Sequence, residues 1–352
     1  MQLPSFAKVM EDRMKNHNLL AKGSLAFFLL IMLSVMMLTG CDRLNNNPAG
    51  TPLKVTIGVG SGLLLTPIWI AENQGYFQEE GLDLTIKEFA TGKASFQAMS
   101  EGTVDISTLA PTPIMFASMT RQDFSVFATF ASSDENVKVI GRKDSGINTA
   151  KDLKGKRIGT PAGTSAQFFL SSFLVYNNIA ESEITEVDIR PPDLLNALDN
   201  SQVDAIVIWQ PYAYKAQQLL AANAATFTDS KIFKESFNFV AMNEFAKNKA
   251  AVLRKILRAV NKASIFIAKH KEKSQEIVVS RTKFDREQLK IFWPDFSFNI
   301  SLDQELLITL EDQARWAIKK GGAERRDIPN YLDYIKMQAL DEVKPAAVTI
   351  IR

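Results

Sequence analysis

Few side chains in this 352-residue sequence could carry covalent chemistry. Cys41 is its one cysteine, and His17 and His270 are its two histidines. A Ser-His-Asp triad would have to run through His270 once His17 leaves with the amino-terminal segment, and His270 lies in the charged helical run "AKHKEK". A zinc site built on histidines is excluded by count. Asp105 and Asp204 occupy matching places in an internal repeat, where turn or capping roles suit them better than catalysis. The sequence offers instead two small-residue turns that open helices, "ATGKAS" (90–95) and "PAGTSA" (161–166). Such turns present hydroxyls, free amides and a positive dipole end to an anion or a polar ligand. The chemistry indicated is recognition rather than bond breaking.

Cys41 has a different reading. Lys8, Arg13, Lys15 and Lys22 precede an uncharged run of 15 residues from Ser24 to Leu38. A basic start, a short apolar run and small residues describe a secretory signal, whereas a membrane span needs about 20 apolar residues. Met14 is an alternative start. Leu38-Thr39-Gly40-Cys41 resembles the lipobox of bacterial lipoproteins. That implies cleavage before Cys41, a diacylglycerol on its thiol, and a mature chain without a disulfide, a Cys-metal site or a cysteine nucleophile. The same resemblance makes Asp42 a retention signal for the inner membrane in enteric-type bacteria. Residues 1–40 hold four of the 41 basic and two of the 39 acidic residues, leaving 37 of each in a formally neutral mature chain. No basic surplus argues for nucleic acid. The remaining length, in a sequence that is 46% hydrophobic, can bury a sizeable core in one large or two medium domains.

The elements that must position the turns alternate. "NNNPAGTP" (45–52) is polar and turn-rich and reads as a tether. Strands are predicted over 53–59, 82–89 and 104–110, with helices over 67–75, 93–102 and 111–119. A second series places strands over 137–141, 156–160, 184–190 and 203–209, and helices over 164–178 and 192–200. Thr164 and Gln167 have capping-box spacing. The series repeat at an offset of 99 residues: "AMSEGTVDI" (98–106) is answered by "ALDNSQVDA" (197–205), each with a proline following. Alternation of this kind implies α/β units with parallel sheets. Two units side by side set their strand ends across a crevice, where open α/β sheets bind ligands. From Ala246 the chain reads as mostly helical, over 246–270, 274–293, 302–320 and 328–340, and these helices need not touch a ligand.

Four motifs in order carry a family resemblance: "IAENQGYFQEEGLDLTIKEF" (70–89), "AMSEGTVDIS" (98–107), "DLKGKRIGTPAGTS" (152–165) and "ALDNSQVDAIVIWQP" (197–211). They resemble the substrate-binding proteins of nitrate, sulfonate and taurine ABC importers, a family that also contains pyrimidine binders of thiamin-precursor uptake. The resemblance covers 53–240 by motif. It implies an α/β, two-lobed periplasmic-binding-protein fold of type II, with two parallel-rich sheets and a helical C-terminal part. Lobe one would comprise 53–133 and about 237–340, and lobe two 134–232. Two crossing strands would join them, with "FNFVAMNEF" (237–245) as the return. It further implies a monomer, lipid-anchored on the extracytoplasmic side, that closes on one small ligand and serves a membrane permease and its ATPase. No cofactor or metal is implied. The expected ligand is a small anion such as an alkanesulfonate or a nitrate-like ion. A pyrimidine is one alternative, and a lipoprotein that senses its ligand for a membrane kinase is another. A pyrimidine synthase of the same superfamily relies on a histidine and a cysteine cluster that the mature chain lacks.

The family's ligand residues lie on strand-to-helix turns. The matching positions here are Ser61, Gly62 and Thr66, then Thr91 and Gly92, then Pro111 and Thr112. In lobe two they are Gly163, Thr164 and Ser165, then Trp209 and Gln210. Trp209 offers a flat apolar wall. Amino-sulfonate binders of the family tend to have an acid between Trp and Pro. Neutral Gln210 stands there instead, which points toward simple sulfonates, other small anions or neutral heteroaromatics. Lys93, in a first helical turn, reads as solvated, and Arg190 suits the crevice and the solvent equally.

Overall fold

The computed structural model of the protein describes residues 51–351 apart from 283 and 324. The expected signal over 1–40, Cys41 and the tether as far as residue 50 lie outside the described residues. β1 (Leu53–Val59) is followed by α1 (Thr66–Asn73), α2 (Tyr76–Glu79), β2 (Leu82–Glu88), α3 (Gly92–Ser100), β3 (Ile106–Leu109), α4 (Pro111–Ser118) and β4 (Phe124–Ser133). Then come β5 (Val137–Arg142), β6 (Arg157–Thr160), α5 (Ser165–Tyr176), β7 (Thr185–Asp188), α6 (Pro191–Asp199), β8 (Ala205–Trp209), α7 (Tyr212–Leu220) and β9 (Ala224–Phe227). β10 (Glu235–Met242) leads into α8 (Asn243–Asn248), α9 (Ala250–Lys269), α10 (Lys271–Thr282), α11 (Arg286–Phe292), β11 (Phe296–Ser297), α12 (Gln304–Lys320) and α13 (Gln338–Val343).

Two sheets result, ordered β11-β4-β10-β3-β1-β2 and β7-β6-β8-β5-β9. The strands that alternate with helices pair in parallel: β1 with β2 and β3, and β6 with β7 and β8. β10 runs antiparallel to β3 and β4, β11 to β4, and β5 to β8 and β9. Both sheets are therefore mixed, where alternation alone suggested parallel strands throughout. β4, β5 and β10 are antiparallel because they carry the chain between the sheets. It leaves the first at Ser133, enters the second at Val137 and returns at Glu235, which pairs with Ser133. Each sheet packs its own apolar core, one including Ile57, Phe127, Phe239 and Leu257, the other Val139, Leu170 and Ile206.

The repeat has a physical counterpart. Asp105 accepts the Thr56 backbone N–H at 2.8 Å, and Asp204 accepts that of Arg157 at 2.9 Å. Each aspartate thus pins the neighbouring parallel strand, remote from the strand ends that face the site.

Several elements depart from the sequence pattern. β4, "FSVFATFASS", is buried almost throughout, so it lacks the alternation that marks a half-exposed strand. The helix expected over 274–293 is two helices, because the Asp285 side chain accepts the Gln288 N–H at 2.8 Å and restarts the ladder there. The helix expected over 328–340 is a single turn at Tyr331–Tyr334 and then α13. Between them Ile335 is extended and bridges to Val126 of β4, so it cannot continue a helix.

Tyr331 is buried at 2% exposure, with its hydroxyl 3.1 Å from that of Ser118. Burial pushes its pKa up to about 12, against the opposing hydrogen bond from Ser118. Its folded value lies above the ordinary tyrosine value of about 10. Its contribution to stability is therefore whole below pH 10 and is lost as pH rises through 12. Tyr331→Phe should cost about 1 kcal/mol at neutral pH and flatten the alkaline fall. Chemical denaturation of both proteins between pH 8 and 12 checks this, and parallel curves would refute it.

Candidate ligand-binding site

The turns after β1, β2, β3 and β6 and the end of β8 converge on a cavity of about 30 Å³. Ser61, Gly62, Thr91, Gly92, Thr164, Ser165 and Trp209 line it, all positions singled out in the sequence. Thr66, Pro111, Thr112, Gly163 and Gln210 stand outside its lining. The Thr66 hydroxyl donates to the Leu63 carbonyl at 2.7 Å, and Gln210 Oε1 accepts the Tyr214 N–H at 3.0 Å. Pro111 opens α4, Thr112 is fully buried, and Gly163 belongs to a larger outer cleft.

Local sequence explains the placement of the turns. Thr91 caps α3 by accepting the Ala94 N–H at 3.1 Å. A Cβ on Gly92 would fall 2.7 Å from Leu109 Cβ and 3.2 Å from the Thr108 carbonyl. Only glycine lets the amino end of α3 approach β3 so closely. Gly163 has φ +72°, and the Lys93 ammonium lies 3.1 Å from where its Cβ would be. The capping box expected of Thr164 and Gln167 does not form. The Thr164 hydroxyl donates to the Pro161 carbonyl at 2.7 Å, and Gln167 Oε1 accepts the Gly163 N–H at 2.8 Å.

The sequence reading missed two polar cavity residues, Asn136 and Glu235, both where the chain crosses between the sheets, along with the apolar Leu64, Ala110, Pro113 and Phe237. Glu235 is 3% exposed. Its carboxyl is hydrogen-bonded to the Ser165 hydroxyl and accepts from Asn136 Nδ2 at 2.6 Å. Burial raises its pKa above the ordinary carboxylate value, and the two hydrogen bonds oppose that only in part. Asn136 Oδ1 and the Trp209 Nε1–H are buried without a hydrogen-bond partner among the described residues. A lone acid opening the largely apolar strand "ESFNFVAM" was the available signal for Glu235. Nothing local marked Asn136.

Lys93 and Pro113 line both this cavity and the outer cleft, whose volume is about 710 Å³. Lys93 is exposed and has no hydrogen-bond or ion-pair partner among the described residues. Phe96, Phe116 and Arg121 face Gly163 and Gln167 across the outer cleft, and α12 adds Trp316 and Lys320. Of the C-terminal helices, α12 thus reaches the outer cleft. Contacts bridge it: Lys320 pairs with Glu186 at 2.8 Å, and Trp316 meets Phe168 edge-on with centroids 5.3 Å apart. His270 sits exposed at the end of α9 against the Phe266 ring, away from the cavity. Among the described residues no group of three or more His, Cys, Asp or Glu side chains could hold a metal ion.

Two lobes with turns meeting over a cavity define the class of periplasmic binding proteins. The NMT1/THI5-like family model matches residues 64–274, more than half of the sequence, and the chain belongs to that family. A Bacillus subtilis protein described as a candidate aliphatic sulfonates-binding protein is 23% identical over 266 residues, 74% of this chain and 79% of its own. The alkanesulfonate-binding protein SsuA from Xanthomonas axonopodis pv. citri, solved bound to MOPS, superimposes with a TM-score of 0.70 at 18% identity. The match covers 82% of this chain and all of that one. The desulfurization enzyme DSZB shares the fold with a TM-score of 0.62 at 13% identity, over 83% of this chain and 99% of its own.

Proposed function

We propose that the protein is the extracytoplasmic solute-binding component of an ABC importer. It captures a small anion, of the alkanesulfonate or nitrate-like class, between its two sheets and performs no chemistry on it. The observation that carries this reading is the convergence of the amino ends of α3 and α5, one from each sheet, on a cavity beside an unpaired Lys93. Free amides, dipole ends and an ammonium suit an oxyanion. The names of the sulfonate-binding relatives support the ligand class. The His270 position supports a binder over an enzyme, since the one described histidine does not line the cavity.

Closure supplies the mechanism. The ligand touches both sheets only when they meet, so it favours the closed form by its differential affinity. The Lys320–Glu186 and Trp316–Phe168 contacts across the crevice reinforce that form. A membrane permease and its ATPase then take the ligand from a monomer anchored through lipid on Cys41. The lipobox and the signal-like segment before it support the anchor.

Thermal unfolding of the full-length chain against alkanesulfonates, nitrate, bicarbonate and pyrimidines tests the reading. A true ligand at 100 times its Kd should add about 2.7 kcal/mol of stability. A shift with pyrimidines alone replaces the anion class. No shift from any compound, with the protein folded, overturns the binding function.

A further inference from the structure

A second groove between the sheets lies on the outer flank and shares no lining residue with the ligand cavity. α12 packs on the core of the first sheet through Leu306, Leu310 and Ala314, and α5 on that of the second through Phe169, Leu170 and Phe173. Where the two helices meet, the groove has a volume of about 650 Å³. Its floor is aromatic. Trp316 of α12 meets Phe168 of α5, and behind it Phe168 meets Phe233, both edge-on with ring centroids 5.3 Å apart. At the rim α5 ends in Val175 and Tyr176, which are 73% and 56% exposed. Adjacent apolar side chains this open to water, beside an aromatic groove, mark a contact surface.

The charges around the groove leave positive charge unmatched. Lys231 and Lys319 line it, are exposed, and hold no hydrogen-bond or ion-pair partner on their ammonium groups among the described residues. Glu181 is the one acid among the described residues of the lining, and the Ser171 hydroxyl and Lys320, at 3.5 Å, already engage it. Asp229 accepts only the Lys231 backbone N–H, at 2.9 Å. A partner that brings carboxylates to these two ammonium groups satisfies them, and an apolar side chain on the same partner covers the rings. A second copy of this chain does not fit. A two-fold contact sets the patch against itself, lysine against lysine.

The two walls belong to different sheets. Phe168, Tyr176 and Lys231 travel with the second sheet, and Trp316 and Lys319 with the first. The groove is therefore whole only while the sheets are closed on each other. The partner that has to tell the closed form from the open one is the membrane permease. We infer that closure assembles on this flank a docking groove for an acidic, apolar-tipped segment of that permease. The inference rests on the solute-binding reading and adds the surface through which the loaded form is recognised. Ligand and permease both bind the closed form better than the open one, so their affinities are coupled. The two lysines select the acidic partner and speed its arrival, and the rings hold it.

Site-specific photo-crosslinking tests this in membranes of the cells that make the full chain. Benzoylphenylalanine is placed at Tyr176, and as a control at Ile291, which is 61% exposed and outside the groove. Mass spectrometry of the Tyr176 adduct should identify the permease subunit of an ABC importer, joined through a peptide with Asp or Glu beside an apolar residue. The Ile291 site should give no such adduct. Lys231→Glu combined with Lys319→Glu should lower the Tyr176 adduct about tenfold or more. Lys320→Glu sets a third carboxylate beside Glu181 and Glu186, drives the sheets apart, and should lower it as well. Neither Lys231 nor Lys319 lines the ligand cavity, so their double variant should keep the thermal shift given by a ligand. No adduct, an adduct with a second copy or any other protein alone, or one equally strong in either variant overturns the groove. A thermal shift in the double variant then leaves the solute-binding function standing. No shift of the wild type by any compound overturns that function and the permease assignment together.

Discussion

Trp209→Ala should destabilise the protein by about 3–5 kcal/mol and abolish ligand-induced stabilisation. The indole ends β8, pairs through its backbone with Val137, and is 6% exposed. It belongs to the core of the second sheet and also walls the cavity. Its Cδ1 lies 3.5 Å from the point where a Cβ on Gly62 would stand, so the ring meets the first turn of the other sheet. Truncation opens a hole in a core and between sheets at once. Trp209→Phe separates these roles. It keeps most of the volume, and it removes an N–H that already lacks a partner, so stability should change by less than about 1.5 kcal/mol. Affinity should fall about tenfold where that N–H serves the ligand. Urea denaturation with calorimetry on both variants checks this. A Trp209→Ala protein within about 1 kcal/mol of wild type would mean that the ring is not the wall described.

Gly92→Ala is the second large effect. The added methyl meets Leu109 Cβ at 2.7 Å and Leu109 Cα at 3.0 Å, where β3 backbone cannot give way. Overpacking of this kind costs about 1–3 kcal/mol. The loss of affinity should be greater in proportion, because the displaced amino end of α3 lines the cavity with its amides. The Gly60 turn presses on the same spot, since its own Cβ would meet the Gly92 nitrogen at 2.9 Å. Melting and binding measured together decide the matter: unchanged values of both would show that the turn has room to spare.

The contrast between α9 and β4 explains how much of the fold was legible. α9 buries Val252, Leu253, Ile256, Leu257, Val260 and Ala263 on one stripe, so its period shows in the sequence. β4 is buried on both faces and shows no period. Turns were legible for the same reason as α9: glycine and hydroxyl residues act locally, so Thr91, Gly92, Thr164 and Ser165 stood out and do line one cavity. Gln210 stood out too, yet it turns inward to cap the start of α7 through the Tyr214 N–H.

The sequence by itself determined the alternation of strand and helix, the repeat that sets Asp105 and Asp204 in matching places, and the small-residue turns. All of these follow from contacts near in sequence or from residue chemistry. Only the tertiary structure decided that β10 enters between β3 and β4, 99 residues after Asn136 in the Asn136–Glu235 pair. That pairing sets a carboxyl on the cavity surface and raises its pKa by burial. Burial and long-range pairing are properties of the packed chain, and no local pattern around Glu235 encodes them.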